Sequence, residues 1–292
     1  MSVVRLISQD GARWLIVANV ALYHVRVVII RFYLGIHNAA WIGKTDVPLF
    51  ISMSQLWRRK KRFPMNRNVA IDSGGFSELR LNGTWTKTAS EYLRKLEYLN
   101  ELGLYYEWAA PQDWMVEPWI IEKTGLSVEE HQRRTVDNFL YLRSTAPDLP
   151  FIPVLQGWSL EDYENCFDMY AKAGVDLVKE DLVGLGSVCR RQSKDEISNI
   201  VERFYRKGLK LHGFGVKIRG LDKYGRFLHS ADSFAWSIEA RYLAHKIGKK
   251  CSSCQDRENP PIACNNCMDY AIEWAQRHNL VKPEKESRVK WI

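Results

Sequence analysis

At 292 residues, 46% of them apolar and 26% charged, the chain has the composition of a soluble globular protein and none of the bias of a low-complexity or disordered one. It is long enough for one barrel-sized domain or two smaller ones. Its net charge of +8 is unevenly placed, with residues 1–70 carrying +9 and the remainder −1. A basic N-terminal third fits a surface that meets a polyanion, and equally a solvated basic face.

In chain order, the apolar stretch from Trp14 to Ile30 comes first. Asn19, His24 and Arg26 interrupt it, and it is too short for a membrane span. It has no small-residue cleavage pattern, so it does not read as a secretory leader. Residues 1–30 are therefore expected to be an N-terminal extension ahead of the main fold, with no membrane partner. Short apolar runs then recur at Arg31–Ile36, Pro48–Met53, Asn68–Ile71, Tyr105–Ala110, Phe151–Leu155, Leu177–Val183, Leu209–Val216 and Arg226–Ala231. Between them lie helix-like segments at Ala89–Leu102, Val128–Arg143, Leu160–Ala173, Lys194–Lys207 and Asp222–Phe227. Strands alternating with helices imply an α/β fold with a parallel sheet. Eight such strands with polar motifs at their carboxyl ends imply a (β/α)8 TIM-type barrel over residues 31–245. An open doubly wound sheet is the alternative, but no Gly-x-Gly-x-x-Gly follows the first strand. Residues 246–292 read as a cysteine-rich zinc-binding loop and a final helix, Met268 to His278, packed on the barrel.

Two phrases point to chemistry: Asp72-Ser73-Gly74-Gly75-Phe76 and Ser230-Ala231-Asp232-Ser233. Each sets an aspartate after an apolar run, beside small residues. Alone, Asp-Ser-Gly-Gly is a good turn or helix cap. The other strand ends carry Pro111-Gln112-Asp113-Trp114, Gln156-Gly157-Trp158, Gly184-Leu185-Gly186-Ser187 and His212-Gly213-Phe214-Gly215. Polar and glycine residues at six strand ends suit a pocket for a flat, hydrogen-bonding ligand. Two carboxylates at such a pocket suit double displacement at a sugar carbon.

In this order, over about Phe32 to Trp274, these motifs resemble the tRNA-guanine transglycosylase (queuine tRNA-ribosyltransferase) superfamily. The spellings Ala110-Pro111-Gln112-Asp113-Trp114-Met115, Val183-Gly184-Leu185-Gly186-Ser187-Val188-Cys189-Arg190-Arg191 and Ser230-Ala231-Asp232-Ser233 resemble its DNA-acting branch, the DNA 7-deazapurine transglycosylases. The resemblance implies that Asp232 is the nucleophile at C1′ and that Asp72 handles protons beside it. It implies that Asp113 accepts from the guanine N1–H and exocyclic amine, and that Gln156 and the Gly184 N–H donate to the guanine carbonyl. Ser73, Gly74, Gly157 and Leu185 fall in the same base-binding motifs. The implied activity is exchange of guanine in DNA for a 7-deazaguanine base, of the 7-cyano-7-deazaguanine type, through a covalent aspartyl–sugar intermediate. The same exchange on tRNA is the alternative. A retaining glycoside hydrolase or an inactive zinc-bearing nucleic-acid-binding subunit are more distant readings.

Cys251-x-x-Cys254 and Cys264-x-x-Cys267 have the spacing of a four-thiolate zinc site. Such a site has no open position, so the Zn2+ is expected to be structural. The superfamily's tRNA enzymes use three cysteines and a histidine, which leaves His245 or His278 as an alternative to one thiolate. Cysteines used this way suit a reducing cytoplasm. Arg58-Arg59-Lys60-Lys61-Arg62, with Arg190-Arg191, is expected to hold nucleic-acid phosphates, and Arg133-Arg134 is a weaker candidate. Trp114, Trp158 and Trp236 are candidates for stacking on a flipped base or for core packing. The resemblance makes a homodimer plausible, and accessory DNA-modification proteins are open partners.

Overall fold

The computed structural model describes residues 2–7, 13–18, 30–64, 68–188, 191, 195–255 and 261–281. Strands β1 (Ser2–Ile7) and β2 (Arg13–Ala18) form a two-stranded antiparallel sheet of their own. The main unit runs β3 (Arg31–Ile36), β4 (Leu49–Ser52), β5 (Val69–Asp72), α1 (Gly75–Asn82), α2 (Ala89–Glu101), β6 (Trp108–Ala109), α3 (Pro118–Thr124), α4 (Val128–Thr145), β7 (Val154–Leu155) and α5 (Leu160–Lys172). It continues with β8 (Val183–Leu185), α6 (Asp195–Arg206), β9 (Leu211–Gly213), α7 (Ile218–Tyr224), β10 (Ser230–Ser233), α8 (Ala235–Ile247), α9 (Ser252–Gln255) and α10 (Met268–Arg277).

Strands β3 to β10 form one eight-stranded parallel sheet in the order β6-β5-β4-β3-β10-β9-β8-β7. A parallel bridge between Ala109 and Phe151 joins one edge to the segment leading into the other. There the Ala109 N–H donates to Pro150 O at 3.0 Å, and the Ile152 N–H to Ala109 O at 3.2 Å. The sheet is consistent with a TIM-like barrel.

All eight expected strands exist, but most are shorter than the apolar runs. The run Leu177–Val183 contributes only its last residue to β8, because Asp176 wraps a turn. Its Oδ1 accepts from the Val178 N–H at 3.1 Å, and its carbonyl from Lys179 at 3.0 Å. The helix expected at Asp222–Phe227 starts earlier, at Ile218, and Gly225–Phe227 is a 3-10 turn. Polar caps set the starts of three of the expected helices. Thr88 and Glu91 close a capping box on α2, Ser159 and Asp162 do so on α5, and Ser127 caps α4.

Side chains alternate along each strand, so two separate cores form on the two faces. Phe32, Leu34 and Ile36 of β3, with Leu49, Ile51, Val69 and Leu211, pack against the helices. Tyr33, Phe50, Ala70, Trp108 and Leu182 form the inner layer, with Phe214 and Phe234 against it. The inner layer fills by pairing bulky with absent side chains. A Cβ on Gly35 would stand 2.5 Å from the Phe234 ring, and one on Gly184 would stand 2.6 Å from Phe214 Cε2 and 3.0 Å from Val154 Cγ2. Ala70 precedes Asp72 by two residues, and Ser230 precedes Asp232 by two. Both aspartates are therefore on the inner face, at the carboxyl ends of their strands.

The C-terminal segment is clamped on through Glu239 of α8. Its carboxylate accepts from Tyr270 Oη at 2.9 Å and Trp274 Nε1 at 3.1 Å, and pairs with Arg277 at 3.0 Å. No helix among the described residues is long and apolar enough to cross a membrane.

The packing at β8 makes a test. Gly184→Ala is expected to lower the unfolding free energy by about 1–3 kcal/mol, the cost of overpacking a filled core, read as a shifted denaturant midpoint with an unchanged slope.

Candidate active site

A cavity of about 360 Å³ opens at the carboxyl end of the sheet. Every strand of the sheet supplies part of its wall, at its own end or just beyond: Ile36, Ser52, Asp72, Asp113, Gln156, Gly186, Phe214 and Asp232. Convergence of all strand ends on one pocket is how a TIM-like fold assembles reactive groups from distant parts of the chain.

Asp72 ends β5, directly opposite Ser52 in the ladder. The following glycines serve two different needs. Gly74 adopts φ +92°, which turns its N–H back to Asp72 Oδ2 at 3.0 Å. Gly75 gives space, since a Cβ there would lie 3.1 Å from the Asp113 carbonyl and 3.2 Å from its Oδ1. Ser73 takes the Gly75 N–H and donates to Asp113 Oδ1 at 2.9 Å. Burial pushes the Asp72 carboxyl up to about 7, the neighbouring charges of Asp113 and Asp232 push the same way, and a hydrogen bond from Ser52 partly offsets them. Burial also raises Asp113, against the hydrogen bonds from Ser73 and Gln156.

Gln156 follows β7 and is fully buried. Its Nε2 donates to Asp113 Oδ2 at 2.5 Å, and its Oε1 accepts from Ser187 Oγ at 2.8 Å. Gly186 makes room for this amide, because a Cβ there would stand 2.3 Å from Nε2. Ser187 is held at φ +55°, a strained conformation for a residue with a side chain. It also accepts from the Val116 N–H at 3.1 Å and lies 3.1 Å from the buried Glu117 carboxylate.

Asp232 is 1% exposed on β10, and its Oδ1 accepts from the Gly215 N–H at 2.8 Å. His212 Nε2 lies 3.4 Å from the same oxygen. Burial lowers the pKa of that ring, against the pull of Asp232.

Thus the cavity brings together Asp72, Gly74, Asp113, Gln156 and Asp232, with Ser73 directly behind Asp113. Other expected residues sit elsewhere. The Gly184 N–H is used in the sheet, donating to Pro153 O at 2.8 Å, so it is not a donor to a bound base. Leu185 faces the helices. Gly157 is a packing glycine, where a Cβ would stand 2.6 Å from Tyr163 Cγ and 2.7 Å from its backbone nitrogen. Arg191 is 4% exposed, stacked 4.0 Å over Trp158 and paired with Glu196 at 2.6 Å, which removes it from a phosphate-binding surface. Arg190 lies outside the described residues. Arg133 and Arg134 pair with Glu130 on their own helix. Arg58, Lys60, Lys61 and Arg62 are exposed beyond β4 and make no ion pair among the described residues, whereas Arg59 folds back on the Lys61 and Arg62 carbonyls and the Phe63 ring.

None of the three candidate tryptophans lines the cavity. Trp236 is a core residue bonded to the Gly35 carbonyl, and Trp114 packs with Leu79 and Ile120. The aromatic wall is Phe50, Phe76, Phe214 and Phe234 instead. Glu117 carried no sequence signal, and Ser187 stood inside a motif without being singled out as a site residue.

The Sγ atoms of Cys251, Cys254 and Cys267 lie within 4.8 Å of one another, and Cys264 Sγ is 3.5 Å from Cys251 Sγ. Cys251 and Cys267 are 3.7 Å apart. Zinc–sulfur bonds of about 2.3 Å at a tetrahedral centre require sulfurs about 3.8 Å apart, so the cluster can hold a metal ion as it stands. His278 is directed elsewhere, packing on Trp274 with ring centroids 5.0 Å apart.

A parallel eight-stranded sheet with three aspartates and an amide converging at its carboxyl end defines the class, a TIM-like enzyme site. The family model described as DpdA, DeoxyPurine in DNA protein A, matches residues 29–290, and the chain belongs to that family. The family suggests a transglycosylase that acts on DNA. A search of the curated proteins found no match.

Two measurements test the site. A carboxyl that ionises near 7 when folded but near 4 when unfolded favours unfolding increasingly as pH rises between those values. Asp72→Asn is therefore expected to stabilise the protein by roughly 2–4 kcal/mol above pH 7, and not at pH 4, as read from unfolding curves at both pH values. Elemental analysis should find about one zinc per chain, and Cys254→Ser should lower both metal content and melting temperature.

Proposed function

We propose that the protein is a DNA-guanine transglycosylase that exchanges guanine in DNA for a 7-deazaguanine base. The observation that carries this reading is the joint placement of Asp72, Asp113, Gln156 and Asp232 on one cavity wall. Family membership supports DNA as the polymer.

In this reading Asp232 attacks C1′ from the face opposite the base. The C1′–N9 bond breaks, its electron pair leaves with guanine, and an aspartyl–sugar ester forms. The incoming base attacks C1′, the electron pair of the ester bond returns to Asp232, and two inversions give net retention. Asp72, poised near neutrality, gives a proton to the departing base and takes one from the arriving base. Asp113 accepts from the two donors of the guanine edge, and Gln156 Nε2 donates to its carbonyl. A 7-deaza base has carbon where guanine has N7, cannot be protonated there, and so leaves poorly, which makes insertion nearly one-way. The exposed cations beyond β4 bind phosphate beside the cavity. The target nucleotide enters extruded or from single-stranded DNA, because a duplex hides C1′.

We further read residues 31–245 as a closed (β/α)8 barrel, with residues 1–30 as an extension. Residues 246–292 form the segment whose four cysteines hold a structural Zn2+.

Nucleoside mass spectrometry on DNA and tRNA, from cells that make a 7-deazaguanine precursor, tests the reading. A deazaguanine deoxynucleoside that disappears in an Asp232→Asn strain is the expected result, and Asp72→Asn should slow exchange by about 100- to 10,000-fold. Modification of tRNA alone would overturn the choice of polymer.

A further inference from the structure

His212 is fully buried on β9, yet its Nε2 has no hydrogen-bond partner of good geometry. It lies 3.4 Å from Asp232 Oδ1, while Nδ1 meets Ser230 Oγ at 2.9 Å. The rings of Tyr33, Phe50, Trp108 and Phe214 enclose it, with centroids 6.0, 5.8, 4.6 and 4.7 Å away. The titratable groups facing it are Asp232 from β10 and Tyr33 from β3, and the other walls are apolar rings. Such a box favours a neutral imidazole, which leaves a choice between two tautomers. With the proton on Nδ1, Nε2 would turn a lone pair toward a carboxylate oxygen. With the proton on Nε2, Ser230 donates to Nδ1, and the carboxylate oxygen 3.4 Å away meets an N–H rather than a lone pair.

We propose that His212, fixed by Ser230 as the Nε2–H tautomer, is the positioning residue for Asp232. It donates to Oδ1 alongside the Gly215 N–H and leaves Oδ2 to form the bond to C1′. This rests on the reading of Asp232 as nucleophile. His212 keeps its proton throughout. Its hydrogen bond orients the carboxylate for attack and stabilises the negative charge that returns to Asp232 when the ester is opened.

The test has a spectroscopic and a kinetic arm. In the full-length chain with isotope-labelled histidine, the ring nitrogen and carbon shifts of His212 should report a neutral Nε2–H form that does not titrate across neutral pH. Exchange of radiolabelled guanine into a single-stranded DNA oligonucleotide should show that His212→Leu lowers kcat by about 10- to 100-fold, the effect of losing a hydrogen bond to a charged group. The KM for guanine should be unchanged, and His212→Gln, which keeps a donor, should recover much of the rate. If His212→Leu fails to fold, Ser230→Ala, which releases the tautomer, should lower kcat in the same direction. An Nδ1–H or doubly protonated ring overturns the proposal, as does wild-type kcat in His212→Leu or Ser230→Ala while Asp232→Asn is inactive. Full exchange by Asp232→Asn would instead overturn the nucleophile reading, and the tautomer would still decide the His212–Asp232 contact.

Discussion

Three aspartates share one cavity, and their mutual repulsion in a water-poor setting constrains everything around them. Each is held by its own donors: Gly74 and Ser52 for Asp72, Ser73 and Gln156 for Asp113, and Gly215 for Asp232. These donors do not remove the cost. It falls most clearly on Asp72, whose carboxyl stays partly protonated near neutrality because burial and two neighbouring charges act together. The glycines follow from the same constraint. Gly74 provides a backbone donor at an angle few other residues adopt, and Gly75 and Gly186 let Asp113 and Gln156 come close.

The sheet makes this arrangement possible. A period of two gives every strand an apolar outer row for the helices and an inner row free to change character along its length. The inner row is aromatic through Tyr33, Phe50 and Trp108, and turns acidic only where Asp72 and Asp232 end their strands. A core and a reactive pocket thus occupy one face of the same sheet, divided by position along the strand.

Much of this was legible in the sequence. The eight strands announced themselves as apolar runs, several helices as helix-like segments between them, and the aspartates through position after Val69-Ala70-Ile71 and within Ser230-Ala231-Asp232. What depends on neighbours distant in sequence was not. Gly184 and Gly157 stand inside motifs, yet their lack of side chain serves Phe214 and Tyr163. Arg191 looked free beside another arginine, but Glu196 and Trp158 claim it. Trp114 and Trp236 beside the motifs turn into the core, Trp158 lies under Arg191, and the wall is built of phenylalanines, two of which, Phe76 and Phe214, stand inside the motifs. Which ring faces a cavity depends on strand parity and loop path, and short strands of two to four residues leave little pattern from which to read either.

The hydrogen bond between Gln156 and Asp113 has a consequence for selectivity. The two groups that would read a base already satisfy each other at 2.5 Å. A guest must therefore replace a charge-assisted contact of the host, and one presenting a mismatched edge would separate them without compensation. Recognition at such a site is a displacement reaction. In the proposed exchange, the protein's own side chains would be the standing competitor against which every candidate base is compared.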